Sequence, residues 1–314
     1  MQLLAVANYR KNHCSGRRRR LSINRGAHRV RLPAADAILA REMPHALVNG
    51  IRLHYREQGR GFPIVLVHGY TGNLHNWVFQ IPPLTQKYRT VSLDLRGHGL
   101  TDSPPRPEDY SLELLAEDVY GLLQAVGISE CYLCGHSLGG MVAQEFFLAH
   151  PEMVRALILV DTTAERPPGT EIGDGGRLAR MAVEQGMGPV FDEMLRTAPL
   201  FSTLATASSS FIEKWREQFL LTSVDGYIHC AQAIHNRRPL LDELHRIDVP
   251  TLIVCGALDE PFLEPSRQMH ERIVGSELAI IPDCGHIPLI ERPQELNHIL
   301  MSFLERVDAR SAER

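Results

Sequence analysis

The sequence has no stretch approaching the roughly 18 consecutive apolar residues of a membrane-crossing helix, so no transmembrane helix and no membrane partner are expected in its 314 residues. It also lacks an overall excess of positive charge. The formal balance is -4, which gives no general reason to bind nucleic acid. Histidines number 15 and cysteines 6, yet no HExxH and no cysteine–histidine cluster at zinc-ligand spacing occurs, and no metal is expected. Cys14, Cys131, Cys134, Cys230, Cys255 and Cys284 are scattered along the chain, as in a cytoplasmic protein with reduced thiols rather than a disulfide framework. Cys131 and Cys134 resemble a CxxC pair, but they lie in an apolar strand-like run, where residues three apart point to opposite faces. A secretory h-region is missing too: Leu3–Ala7 is too short and precedes the charges, and no apolar segment follows the arginines Arg17–Arg20 as a twin-arginine signal requires.

What is present first is an asymmetry of charge. Residues 1–42 hold ten Lys or Arg against Asp36 and Glu42, a balance of +8, so residues 43–314 carry -12. Clustered arginine suits a transit peptide or a phosphate-binding arm. Residues 1–42 contain no 20-residue amphipathic or apolar element, so they are expected to be a disordered extension, with Met43 as the natural beginning of the chain.

From residue 46 onward, short apolar runs alternate with longer helical patterns. Ile51–Arg56 alternates like an exposed strand, whereas Ile64–Val67 is a continuous run suited to burial on both faces. Similar runs follow at Thr90–Asp94, Cys131–Cys134, Ala156–Val160, Thr251–Cys255 and Leu278–Ile281. Between them lie helical stretches such as Ser111–Val126, with Ser111 as N-cap. This pattern predicts an α/β fold with a mostly parallel central sheet flanked by helices, in which the ligand site lies beyond the carboxyl ends of the strands.

The alternation stops between residues 162 and 247. Met181, Met187, Phe191, Met194, Phe201, Phe211, Trp215 and Phe219 fall there among helix formers. The segment is expected to be a helical cap, or lid, inserted after the sixth strand of a core formed by residues 43–161 and 248–314. Arg177, Arg180, Arg237 and Arg238 could grip a carboxylate there, but a solvated helix face is the favoured reading.

The chemistry centres on Gly135-His136-Ser137-Leu138-Gly139, between a strand and the helical run Met141–Ala149. A serine on such a sharp turn needs small neighbours, and the turn aims a helix N-terminus at the place where an oxyanion would form. GxSxG arises by chance on the order of 0.1 times in a chain of this length, and the strand-before, helix-after context adds specificity. A nucleophilic serine needs a base and an acid to orient it. Asp259 follows the strand Thr251–Cys255, and His286 follows the strand Leu278–Ile281. The chain order is therefore Ser, Asp, His.

These features, from about residue 46 to 305, resemble the α/β-hydrolase fold family in its capped branch. His68-Gly69-Tyr70-Thr71-Gly72 is similar to its HGxxG oxyanion loop. Asp94-Leu95-Arg96-Gly97-His98-Gly99 resembles its DxRGxGxS stretch, with Thr101 where serine is commoner. Gly256–Asp259 resembles the acid loop, and Gly285-His286 with Pro288, Glu291 and Pro293 resembles the histidine loop.

The resemblance implies a cofactor-free serine hydrolase in which Ser137 attacks, His286 takes its proton, Asp259 orients the imidazole, and the backbone N–H groups of Tyr70 and Leu138 bind the oxyanion. Asp161 also follows a strand, where some members keep their acid, but Asp259 has the better local motif. His68 and His136 are given structural places beside the site; His136, Trp215 and Phe219 are also candidates for contact with substrate. An aspartate at position 137 would have suggested a haloalkane dehalogenase or epoxide hydrolase, and the loop lacks the proline of the epoxide-hydrolase HGxP form. The expected substrate is a small ester or lactone, the Met- and aromatic-rich cap favouring an apolar one. A C–C hydrolase, a thioesterase and a non-catalytic ligand receptor are the alternatives. The sequence leaves the oligomeric state open.

Overall fold

The computed structural model describes residues 44–166, 176–198, 203 and 207–312. The expectations for residues 1–42 and for a natural start at Met43 lie outside these residues, as do parts of the segment 162–247.

Eight strands form one sheet: β1 (His45–Val48), β2 (Ile51–Gly59), β3 (Pro63–Val67), β4 (Arg89–Leu93), β5 (Cys131–His136), β6 (Val154–Val160), β7 (Thr251–Gly256) and β8 (Glu277–Ile281). Their spatial order is β1-β2-β4-β3-β5-β6-β7-β8. β1 and β2 pair antiparallel, β2 meets β4 antiparallel, and every later pairing is parallel. β1 has no counterpart in the sequence reading. It is a four-residue strand, too short to register as a periodic run, and Asn49-Gly50, both at positive φ, turn it into β2. That dipeptide is the available signal for a hairpin.

The helices are α1 (Leu112–Ala125), α2 (Leu138–Ala149), α3 (Arg177–Gln185), α4 (Met187–Thr197), α5 (Ser209–Phe219), α6 (Val224–Asn236), α7 (Glu260–Arg272) and α8 (Pro293–Ala312), with single turns between some of them. Ser111 caps α1 as expected, its Oγ accepting the Leu114 N–H at 3.1 Å. Successive strand residues serve opposite layers. Val65, Val67, Leu157, Leu159 and Ile253 pack with α1 and α2 on one face; Ile64, Leu66, Ile158, Val160, Leu252 and Val254 pack with α8 on the other. This two-sided burial is why the central strands read as continuous apolar runs. Cys131 and Cys134 fall in opposite layers, both as buried free thiols.

Helices α3 to α6 lie between β6 and β7 in the chain. They share a core of Ala182, Met187, Val190, Phe191, Phe219 and Tyr227, and Trp215 packs against both that cluster and the α8 layer. No helix among the described residues is long and apolar enough to cross a membrane.

Candidate active site

Ser137 stands between β5 and α2 with φ 52° and ψ -115°, a conformation that costs a non-glycine residue free energy and persists only where its surroundings impose it. The surroundings here are hydrogen bonds to its peptide groups and closely packed backbone. Its N–H donates to Val160 O at 2.9 Å, and its carbonyl accepts from Thr162 Oγ1 at 2.7 Å. A Cβ at Gly135 would meet Gly139 O at 2.2 Å, and one at Gly139 would meet Val67 O at 2.2 Å. The two glycines of GxSxG are thus required by close backbone approach, as the motif's chemistry predicts.

The three sequence-predicted residues come together. His286 Nε2 is 3.0 Å from Ser137 Oγ, and its Nδ1 is 2.8 Å from Asp259 Oδ2. All three are buried, Ser137 being 9% exposed and His286 7%, so their hydrogen bonds lie in a low-dielectric setting. With Nδ1–H donated to Asp259, Nε2 is free to accept the serine proton.

The histidine is held from several directions. Glu291 accepts the N–H groups on either side of it, Gly285 N–H at 2.7 Å and Ile287 N–H at 2.9 Å. The ring of Phe262 lies 4.7 Å from that of His286. His136 is buried with its Nε2 donating to the His286 carbonyl at 2.8 Å; burial, with the nearby His286, pushes its pKa down to about 3, so it is a neutral fixed donor. In the sequence Glu291 stands out only as part of the histidine-loop motif, five residues after His286.

The loop after β3 is knit by neutral histidines. His68 donates from Nδ1 to Gly69 O at 2.7 Å and accepts the Leu95 N–H at 3.0 Å; burial lowers its pKa. His98 accepts the Thr71 N–H at 3.2 Å and donates to Arg96 O at 3.0 Å, its pKa pushed down to about 3 by burial and by His68. No hydrogen bond recorded among the described residues uses the N–H of Tyr70 or of Leu138. Leu138 is the first residue of α2, where N–H groups have no intrahelical partner.

The candidate substrate contacts separate. Phe219 is buried inside the α3–α6 cluster, its ring 5.2 Å from that of Phe191, and Trp215 is half-buried with its indole N–H unpartnered among the described residues. Of the four arginines in this segment, Arg177 pairs with Glu193 at 2.8 Å and Arg238 with Glu145 at 2.8 Å. Arg237 donates to Ile234 O at 2.6 Å.

Asp161, the alternative acid, is fully buried next to Asp259. It is not hydrogen-bonded to His286; its Oδ1 accepts the Gly256 N–H at 2.9 Å.

A family model for the alpha/beta hydrolase fold matches residues 63–293. The chain is 40% identical over 279 residues to epoxide hydrolase 4 of Homo sapiens, a match covering 82% of this chain and 76% of that protein. It is 29% identical over 301 residues to bifunctional epoxide hydrolase 2 of Rattus norvegicus, covering 82% of this chain and 54% of that protein, so it spans about half the length of that relative. Among solved structures, the enol-lactonase from Burkholderia xenovorans LB400 superposes with a TM-score of 0.72 at 28% identity, covering 83% of this chain and 100% of that one. The chain belongs to the α/β-hydrolase fold family. It is an enzyme of the hydrolase class, and family members of this kind act on small-molecule substrates.

Proposed function

We propose that the protein is a serine hydrolase that cleaves a carboxylic ester or lactone of an apolar small molecule through an acyl-enzyme. The observation that carries the reading is the hydrogen-bonded series Ser137 Oγ, His286 and Asp259 at 3.0 and 2.8 Å. Ser137 Oγ bonds to the carbonyl carbon as its proton passes to His286 Nε2. The N–H groups of Tyr70 and Leu138 receive the oxyanion; such a donor is typically worth about 10² to 10³ in rate. The C–O bond to the leaving group then breaks and the leaving oxygen takes the proton from His286. Water attacks the acyl-enzyme by the same route, returning the proton to Ser137 and releasing the acid. Asp259 holds the imidazole tautomer and stabilises its charged form.

The epoxide hydrolases among the relatives raise a second reading. Serine rather than aspartate at position 137 argues against it, because their alkyl-enzyme chemistry needs a carboxylate nucleophile. Helices α3 to α6, within residues 162–247, are read as the cap over the site, in which Trp215 is half-buried and Phe219 buried. Buried free thiols at five described cysteines support a cytoplasmic location.

A fluorophosphonate probe is expected to label the wild type. Ser137→Ala should abolish labelling and lower turnover of short p-nitrophenyl esters by about 10⁴-fold or more. Retained turnover in that variant removes the reading. An ester, lactone and vinylogous-diketone panel distinguishes ester from C–C hydrolysis.

A further inference from the structure

Behind the acid of the relay sits a second carboxyl group that the reaction as written does not use. Asp161 follows β6 in left-handed backbone, with φ 42°, fixed by its N–H donating to Val254 O at 2.8 Å. Its Oδ1 accepts the Gly256 N–H at 2.9 Å. Its Oδ2 is buried with no hydrogen-bond donor recorded among the described residues. What faces it is Asp259: carboxyl oxygens of the two side chains, together with Cys255 Sγ, lie within 4.8 Å of one another.

Two buried carboxylates side by side need a cation or a proton between them. The titratable groups that face Asp161 are Asp259 and the thiol of Cys255 from β7 and its loop, and the thiol of Cys284 from the histidine loop. None of these is a cation. His286 is taken up by Oδ2 of Asp259. A proton on Asp161 resolves the contact, because a carboxylic acid O–H turns the orphaned oxygen into a donor toward the Asp259 carboxylate, where the only other donor beside Asp161 Oδ2 is the weak S–H of Cys255.

We propose that Asp161 is a positioning residue that carries a proton at neutral pH and donates it in a hydrogen bond to the Asp259 carboxylate, fixing the plane in which Asp259 receives the His286 N–H. The proposal rests on the reading of Asp259 as the relay's acid. It is supported by the electrostatics: burial, and then the charge of Asp259, push the Asp161 carboxyl well above the usual carboxylate range. The Gly256 hydrogen bond fixes one oxygen and leaves the other without a partner. Asp161 thereby links the end of β6 to the end of β7, two adjacent, parallel-paired strands.

The test compares wild type, Asp161→Ala and Asp161→Asn. Asn keeps both contacts, its carbonyl accepting the Gly256 N–H and its amide donating to Asp259. Asp161→Ala is expected to lose about tenfold or more in kcat with KM within about twofold, and Asp161→Asn to recover most of that loss. The acid limb of the kcat/KM profile decides the protonation state. If Asp161 is neutral, Asn exchanges one neutral donor for another and the limb stays where it is. If Asp161 were ionised, Asn would remove a negative charge near the imidazolium and move the limb to lower pH.

An infrared difference spectrum at neutral pH, wild type minus Asp161→Asn, reads the proton without reference to turnover. It should contain a carboxylic-acid C=O band, and the same band should appear in the Ser137→Ala background. A difference spectrum with only carboxylate bands, a shifted limb in Asp161→Asn, full activity in Asp161→Ala, or a stoichiometric metal ion removed by chelator would each overturn the proposal. Loss of the reading of Ser137 as nucleophile would leave the infrared result unchanged, so the two failures are distinguishable.

Discussion

Ser137 is placed by its neighbours' lack of side chains, and His286 is placed by a carboxylate that holds the backbone on either side of it. Glu291 spans the peptide groups on both sides of His286 with one oxygen each. An acceptor that straddles a residue in this way fixes its φ and ψ, and a side chain displaced by about 1 Å can cost on the order of 10² in rate. Glu291→Ala leaves two N–H groups unsatisfied. It is expected to lower kcat for p-nitrophenyl ester hydrolysis by about tenfold to a hundredfold and to slow fluorophosphonate labelling in parallel, with KM little changed. Equal labelling rates for the variant and wild type would contradict this.

The loop that carries the Tyr70 N–H is clamped to the helices inserted between β6 and β7. Tyr70 Oη donates to the Tyr227 carbonyl of α6 at 2.5 Å, and the two rings stack 5.4 Å apart. Asn73 Nδ2 donates to Gln218 O of α5 at 3.2 Å. The loop after β4 is joined to the start of α6 as well, with the Ser223 N–H and Oγ both donating to Gly97 O at 2.9 and 3.0 Å. Through His98, that loop holds Thr71.

Two predictions belong to this element. Tyr70→Phe removes a hydrogen bond of about 1 kcal/mol and should lower kcat severalfold more than it changes KM, as measured on a saturating ester substrate. Gly226→Ala would drive a Cβ to 2.3 Å from Gly97 O. Because that neighbour is backbone, the expected cost is about 1–3 kcal/mol of stability, read as a lower Tm.

Across the whole molecule, burial of neutral histidines sets a direction for acid sensitivity. His98 and His136 both have native pKa values near 3 against 6.5 unfolded. Between those values the unfolded chain binds protons that the native one does not, so stability falls as pH drops below 6.5 and continues falling toward 3. Each group contributes at most about 1.4 kcal/mol per pH unit. Asp161, raised rather than lowered, acts with the opposite sign in this window and offsets part of one histidine. Urea unfolding between about pH 7 and pH 5 is therefore expected to show stability decreasing with acid, with a smaller slope in His136→Gln. An unchanged slope in that variant would mean that His136 is not buried neutral.

Most of the fold was legible because central strands buried on both faces leave continuous apolar runs, and because α1 announces its start with Ser111. β1 escaped that reading for want of length. The candidate triad was legible because each member sits at a strand end in a short local motif, so chain order and strand position carried the information. The helices after β6 were visible as a break in alternation, but not which of their side chains face inward. Phe219 belongs to their own core, a distinction that depends on packing between helices rather than on periodicity within one.

The sequence by itself determined the sheet, the sharp turn at Ser137 and the identity of the candidate nucleophile, base and acid, because local backbone demands and periodic burial are written in consecutive residues. The tertiary structure decided which groups stand behind them. Glu291 under His286, His136 against the His286 carbonyl, Tyr70 tied to α6 and Asp161 pressed against Asp259 are contacts between residues tens to hundreds of positions apart in most cases. Only the assembly of the sheet and its connecting loops brings their charges and hydrogen-bonding groups within reach of one another.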